Sequence, residues 1–451
     1  MARKIRLLPL VGATYFMVAG GPYSLEDIIG KAGYGRALLM LIVIPIVWSL
    51  PTSLMVGELS SAIPEEGGYY RWVKRALGGF WGFQEAWLSL AASVFDMAIY
   101  PVTFVLYLSR IAPSWTAGNR GTLWALAVVV GCAAWNLRGA KAVSHGSVWL
   151  FCGLLSPFVV LIIIGLWRGL WLHGAGGGWG ALARPVAAPD LAGAISVCLW
   201  NYMGWDNAST IAQEVENPQR TFPRAMLLAT ALVALTYVLP LAAVGIAGTP
   251  AEQFSTGAWA DAARSIANGV KSAGTASTSS WGVWLAFAVV LGGTLSGVGM
   301  FNALMMSYTR VPYALAKEGL FPRAFTRTTR AGVPWLSVIF CAVAWALALR
   351  LSFERLISID LVLYGAALLL EFVALVVLRV REPSLERPFR VPGKLFGAVL
   401  VGVGPALLIG FALWAARAER VAGMPALLFA SLVAAMGPFI YLAAKGISRG
   451  R

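Results

Sequence analysis

The stretch Trp200–Ala225, WNYMGWDNASTIAQEVENPQRTFPRA, decides how the rest of the chain is read. It begins inside an apolar run and ends in a charged loop. Asn201, Gly204 and Asp206 stand where a membrane helix should carry none of them. An ionisable residue inside a span is expensive, so its default reading is functional. Glu214-Val-Glu-Asn-Pro218 then stops the helix, because Pro218 has no N–H to donate and restricts the residue before it. The stretch predicts a broken membrane helix over a binding site, running into a cytoplasmic loop.

The composition sets the frame for that reading. The 451 residues are 59% hydrophobic and 12% charged, with a mean hydropathy of +0.74; a soluble domain is roughly 25% charged. Apolar runs of about 20 residues recur along the whole chain, which is the signature of membrane helices. The first run is too long for a signal peptide and lacks a small-residue cleavage site. The net charge of +15 reads as Lys and Arg gathered in cytoplasmic loops, not as a nucleic-acid surface. Cys132, Cys152, Cys198 and Cys341 all lie in apolar runs and form no CxxC pair, and His145 and His173 are dispersed. Neither a disulfide framework, a metal site nor a bound cofactor is expected. An enzyme would need a clustered His/Asp or nucleophile motif near an interface, and none is present.

Twelve spans are expected, near 7–30, 37–63, 80–109, 121–137, 146–168, 191–212, 225–248, 281–309, 333–353, 356–379, 396–416 and 423–445. With the N-terminus inside, the loops assigned to the cytoplasm (1–6, 64–79, 138–145, 213–224, 310–332, 379–395 and 445–451) hold 23 of the 35 Lys and Arg residues. This excess predicts cytoplasmic N- and C-termini in a cell membrane, plasma or bacterial inner. The 64–79 loop reads as an amphipathic helix at the cytoplasmic interface. The 249–280 loop reads as an external cap or a plain linker, and the 379–395 loop as a solvated basic loop.

Span 1 is interrupted at Gly20-Gly21-Pro22 and span 6 at Asn201 and Gly204, five spans later. An odd offset means that the second copy enters from the opposite face. The expected fold class is therefore an all-α integral membrane domain. It has a five-plus-five inverted repeat (7–170 and 191–379) with broken spans 1 and 6, followed by two additional helices (396–445). Paired interruptions of this kind point to a binding site at the repeat interface.

The deep charges are acidic. In span 3, Glu85, Ser89, Ser93, Asp96, Tyr100, Thr103 and Tyr107 recur at steps of three and four and make one polar stripe on a helix. In span 10, Tyr364 and Glu371 share a face, with Asp360 one turn further out. Asp96 and Glu371 are the leading ionisable candidates. Glu26 and Asp27 either line an outer vestibule or end the span in water, and Glu58 reads as a structural partner for the next loop. Arg110, Arg168, Arg350 and Arg379 sit at span ends, where they can snorkel. Trp200, Tyr202 and Trp205 beside the second break can meet an ammonium through cation–π attraction.

These residues carry a family resemblance. Pro64-x-x-Gly67-Gly68-Tyr69-Tyr70 followed by Leu77-Gly78, and Glu214-Val-Glu-Asn-Pro218 followed by Thr221-Phe-Pro223-Arg224-Ala225, resemble the loops of the amino acid–polyamine–organocation superfamily. Within it the chain is similar to the polyamine uptake transporters of plants and their bacterial relatives. The basis is Gly20-Gly21-Pro22-Tyr23-x-x-Glu26-Asp27, Asp96 with Tyr100-Pro101-Val102, Trp200-Asn201 with Trp205-Asp206, and Glu371-Phe372 before Arg387-Pro388-Phe389. The resemblance implies a secondary transporter working by alternating access, with protons as a coupling partner. It implies substrate contacts at both breaks and on spans 3, 8 and 10. There are two departures. Asn302-Ala303-Leu304 stands in span 8 where the plant group often carries an acidic residue, and span 5 has no lysine. The expected substrate-binding set is Gly20, Gly21, Pro22, Asp96, Tyr100, Trp200, Asn201, Tyr202, Trp205, Asp206 and Glu371. The expected proton-coupling candidates are Asp96, Glu371, Glu26 and Asp27. The expected cargo is a polyamine or cationic amino acid, the alternative being a neutral amino acid carried by a permease or exchanger of the same fold.

Overall fold

The computed structural model describes residues 4–172, 178–268, 280–417, 419–421 and 423–449; His173 and the 269–279 part of the 249–280 loop lie outside them. Among the described residues, eight helices are long and apolar enough to cross a membrane, and Leu7–Val18 and Trp335–Leu347 are shorter apolar helices. Among the described residues, the fold is all-α apart from a small hairpin that pairs Arg420 with Pro425 and Val421 with Met424.

The helices that build the site are α1 (Leu7–Val18), α2 (Glu26–Ala32), α3 (Tyr34–Ala62), α4 (Tyr69–Leu77), α5 (Gly79–Ile111), α6 (Asn119–Asn136), α7 (Ala140–Trp167), α8 (Leu191–Asn201), α9 (Pro218–Ile246), α10 (Trp259–Asn268), α11 (Ser280–Tyr308), α12 (Arg310–Lys317), α13 (Trp335–Leu347) and α14 (Phe353–Arg381). Two more helices, α15 (Lys394–Ala415) and α16 (Ala426–Arg449), pack outside them. The long α5 lies at the centre, against α11 and α14. Close approach there depends on small residues: a Cβ on Gly297 of α11 would come 2.7 Å from the Tyr100 carbonyl oxygen of α5.

Both interruptions are present. α1 stops at Val18, and α2 starts at Glu26 after a turn through Gly20, Gly21 and Pro22. The turn is held from outside the helix. Ser296 Oγ donates to the Gly20 carbonyl at 2.6 Å, and the Trp259 indole donates to the Pro22 carbonyl at 2.8 Å. α8 stops at Asn201, and the chain resumes at Trp205 as a 3-10 segment that runs to Glu214. Gly204 takes φ +92°, a conformation that side chains disfavour, and a Cβ on it would overlap the Met17 carbonyl. The two breaks therefore lie against each other.

The bundle is closed at both ends. At the distal end, Asp27 accepts from the Thr256 amide at 3.0 Å and the Thr256 hydroxyl at 2.8 Å, and Glu26 accepts from the Gly257 amide at 3.1 Å and from Tyr107. The described part of the 249–280 loop is thus a cap that docks on the first break. At the basal end, where the chain begins, Ile5 forms a parallel bridge with Val215. There α4 lies under the 3-10 segment: the Tyr69 amide donates to Ser209 Oγ at 3.2 Å, and Gly68 has no room for a Cβ beside Ser209. α4 buries Tyr69, Tyr70, Trp72, Val73 and Ala76 and turns its basic residues outward. Glu318 then gathers Tyr70, Arg71 and Lys74 from α4, and Arg310 pairs with Glu214 at 2.6 Å.

One expectation is overturned here. The 379–395 segment is not simply a solvated basic loop, and Arg379 does not snorkel to water. Arg379 Nε donates to Glu58 at 2.9 Å, the Val391 amide donates to Glu58 at 2.7 Å, and Arg387 stands 3.3 Å from the same carboxylate. All three side chains of this ion cluster are almost fully buried. A carboxylate near the C-terminal end of α3 cannot stay charged in an apolar bundle without such partners, and the cationic segment after α14 folds back to supply them. Glu58 is structural, as expected, but its partner is this segment and not the 64–79 loop.

Candidate functional site

A cavity lies at mid-bundle where the two breaks meet. It is lined by Met17 and Val18 at the end of α1, Asp96 and Tyr100 on α5, and Trp200, Met203 and Gly204 at the second break. Tyr308 on α11 and Asp360 and Tyr364 on α14 complete it. The space is contracted to about 10 Å³, and it is closed from both ends by the contacts described above.

Each wall has a physical reason to be where it is. Asp96 is the centre of the α5 stripe. One of its oxygens accepts from Tyr100 at 2.6 Å and from the Trp200 indole at 3.3 Å, and the other from Tyr308 at 3.4 Å. Tyr100 stacks on Trp200 with centroids 6.1 Å apart, and Phe353 meets the same indole edge-on at 5.6 Å. Asp360 is buried at 1% exposure, and neither of its oxygens has a hydrogen-bond partner among the described residues. Tyr364, one turn along α14, joins the walls: its hydroxyl donates to Asp206 and accepts the Gly204 amide at 3.0 Å. Among the described residues, no Lys or Arg lines the cavity.

The half-helices add a field to these side chains. α1 and α8 both end at the cavity, so their carbonyl-bearing, partially negative C-termini converge on it. The opposite, positive ends already carry carboxylates of their own. Glu26 and Asp27 occupy the first turn of α2, and Asp206 occupies the first turn of the 3-10 segment. The arrangement has negative groups facing the cavity and aromatic faces between them, which suits a cation.

The expected site residues divide into five groups. Asp96, Tyr100 and Trp200 meet in the cavity, and Asp206 stands behind it, joined through Tyr364. Gly20, Gly21 and Pro22 do not line it; their turn packs beside Ser296, Met300 and Leu154, and α1 presents Met17 and Val18 instead. Asn201, Tyr202 and Trp205 also turn away. Asn201 folds back on the Val197 carbonyl at 2.9 Å, Tyr202 donates to the Leu41 carbonyl at 2.8 Å, and the Trp205 indole donates to the Tyr202 carbonyl at 2.8 Å. Glu26 and Asp27 hold the distal cap. Glu371 lies apart from the cavity, fully buried, with no hydrogen-bond partner on either oxygen among the described residues. Its electrostatic neighbours are Asp206 and Glu85, the latter accepting from Ser89 at 2.7 Å.

Tyr308, Met17, Val18 and Met203 were not among the expected site residues. Apolar lining and a tyrosine at the end of an apolar run carry no pattern that separates them from packing residues. Asp360 and Tyr364 had a signal: with Glu371 they stand at helical spacings of four and seven on one face of α14.

Comparison with known proteins agrees with this architecture. A model of the amino acid permease family matches residues 11–439. The chain belongs to that family. The permease is 32% identical over 412 residues to polyamine transporter RMV1 of Arabidopsis thaliana, covering 90% of this chain and 80% of the relative. It is 33% identical to polyamine transporter PUT1 of Oryza sativa subsp. japonica, covering 91% and 74% of the two chains. It is 23% identical to the serine/threonine exchanger SteT of Bacillus subtilis (strain 168), over 89% and 87%. The permease is thus a multi-pass membrane protein of a transporter family, not of an enzyme family.

Proposed function

We propose that the permease is a secondary active transporter that takes up polyamines or cationic amino acids by alternating access and couples uptake to protons. The observation that carries this reading is the cavity. Asp96 and Asp360 face it together with two negative helix ends and four aromatic side chains, and among the described residues no cationic side chain lines it. An ammonium group would neutralise the unpartnered Asp360 and stack on Tyr100 or Trp200. Two carboxylates on different helices suit a substrate with more than one amine. The names of the plant relatives support the same class of cargo.

The finer architecture belongs to the same proposal. Twelve spans, a five-plus-five inverted repeat over 7–170 and 191–379, two added helices at 396–445 and cytoplasmic termini account for the paired breaks and for the basic basal loops. On this topology the basal end is cytoplasmic and the molecule sits in the cell membrane. Glu371, buried beside Asp206 and Glu85 without a cationic partner, is the proposed proton carrier, with Asp96 responding through the substrate.

The competing reading is a neutral amino acid permease or exchanger. It would need free amides for the substrate carboxylate, whereas the Gly204 amide is already bonded to Tyr364. Uptake of labelled putrescine, spermidine and a panel of amino acids into proteoliposomes, with and without a pH gradient, separates the two. Gradient-driven uptake of the amines is expected. Competition by leucine or serine without competition by spermidine would overturn the assignment.

A further inference from the structure

A second, larger opening lies at the basal end, away from the cavity. It is a crevice of about 710 Å³ between the start of α1 and the start of α7. Lys4, Arg6, Lys141 and His145 surround it, and Glu216 stands at one edge. Lys141, Ser144 and His145 are at i, i+3 and i+4 of α7 and so share one face.

Three observations on this crevice point to a phosphate group. First, both helices begin here without a side-chain cap, so two positive helix ends border the same space. Second, Lys4, Lys141 and His145 form no ion pair among the described residues, while Arg6 pairs with Glu216 at 3.3 Å, with side chains 80% and 49% exposed. An exposed pair of this kind is weak and easily exchanged. Third, Ser144 lines the crevice, is fully buried, and its hydroxyl has no hydrogen-bond partner among the described residues. The source of the phosphate follows from the rim. Leu8 lines the crevice and is 74% exposed, and Trp149, one turn beyond His145 on α7, is 79% exposed; both belong to apolar helices. A basic crevice with an apolar rim at the end of a membrane helix fits a lipid headgroup with its chains running along the bundle.

We propose that this crevice binds the phosphate headgroup of an anionic membrane phospholipid through Lys4, Lys141 and Ser144, and that the bound headgroup draws Arg6 away from Glu216. The exchange reaches the gate. Ile5 donates to the Glu214 carbonyl at 2.7 Å and accepts from the Glu216 amide at 2.9 Å, so the chain between the crevice and the 3-10 segment is one short strand pairing. Freeing Glu216 loosens the tie that holds the start of the chain over the second break. The lipid therefore favours basal opening and speeds transport. The binding half of the proposal stands apart from the transport reading; the rate half rests on it.

The test uses the full-length permease reconstituted in phosphatidylcholine vesicles with rising fractions of phosphatidylglycerol. Retained lipid is counted by native mass spectrometry after extraction, and uptake is measured in parallel. The wild type should retain phosphatidylglycerol in preference to phosphatidylcholine. The double substitution Lys4→Gln, Lys141→Gln should weaken that retention by about thirtyfold, the product of a roughly fivefold loss for each of two charges near the surface, and should flatten the dependence of uptake on lipid while leaving uptake in pure phosphatidylcholine unchanged. Ser144→Ala, which leaves the charges in place, should lower retention to a smaller degree. Equal retention by wild type and double variant overturns the site. Displacement of the lipid by millimolar inorganic phosphate overturns the lipid assignment and gives the crevice to a soluble anion. Because retention is read without transport, a permease that moves no polyamine still tests the site.

Discussion

Asp96 and Asp360 face the same cavity but are held differently. Asp96 accepts three hydrogen bonds from Tyr100, Trp200 and Tyr308, whereas Asp360 accepts none among the described residues. Removing the charge of Asp360 should therefore act almost wholly on the substrate. Asp360→Asn is expected to raise the KM for spermidine by about 10- to 100-fold, the worth of one charged hydrogen bond, with little change in the melting temperature of the purified protein. Asp96→Asn should lower uptake comparably and also loosen the aromatic wall, which would appear as a lower melting temperature. Wild-type spermidine kinetics in both variants would remove the cationic-pocket argument. Glu371 makes a different prediction because it lies away from the cavity. Glu371→Gln should abolish accumulation driven by a pH gradient while preserving exchange of internal for external substrate. Equal loss of both modes would assign Glu371 to substrate binding or structure instead of to the proton.

At the scale of elements, the physical reasons for what could be read in advance are visible. Gly20-Gly21-Pro22 and Gly204 announced the two broken helices because backbone that leaves the helix inside a bilayer needs residues with special φ or no N–H. The α5 stripe was legible because polar groups in an apolar run show their periodicity. Which side chains reach the cavity was less legible. After Asn201 the chain turns through Gly204 into a 3-10 segment, and that local geometry sends Tyr202 and Trp205 into the bundle although Trp200 faces the cavity. The Glu58 cluster was hidden for another reason: its partners come from more than 300 residues away, a distance no local pattern spans. This cluster carries its own prediction. Arg379→Met leaves a buried carboxylate short of its main partner and should destabilise the protein by about 3–5 kcal/mol. The double change Glu58→Gln, Arg379→Met should cost clearly less. Thermal unfolding of the wild type, the two single variants Glu58→Gln and Arg379→Met, and the double variant in detergent measures both, and simple additivity of the single changes would show that the pair does not act as a unit.

The whole molecule presents a cavity closed at both ends by contacts of different chemistry. The distal cap rests on Glu26 and Asp27 bonded to the neutral groups of Tyr107, Thr256 and Gly257, while the basal closure adds ion pairs to the Ile5–Val215 pairing and the Tyr69–Ser209 bond. Those ion pairs link α4 and the 3-10 segment to the short helix after α11, and Arg75 continues them to Glu382, whose carboxyl this hydrogen bond holds below the usual range. Glu318 is the hub, since Tyr70, Arg71 and Lys74 all converge on it. Alternating access requires this closure to open when the distal one shuts, so weakening the hub should shift the population towards basal opening. Ser209, buried under Gly68 and Tyr69, reports that step. Cys152 is the exposed native cysteine and is replaced by serine, the other three being buried. In a Ser209→Cys reporter on that background, a membrane-impermeant maleimide added from the basal side should react slowly. Adding Glu318→Gln should raise the rate about tenfold or more, the shift expected for losing charge-assisted bonds worth roughly 1.5–3 kcal/mol. The same substitution should leave labelling from the distal side unchanged or lower it, because a molecule that opens at one end is shut at the other. Labelling that rises equally from both sides would indicate general loosening and would remove Glu318 from the gate.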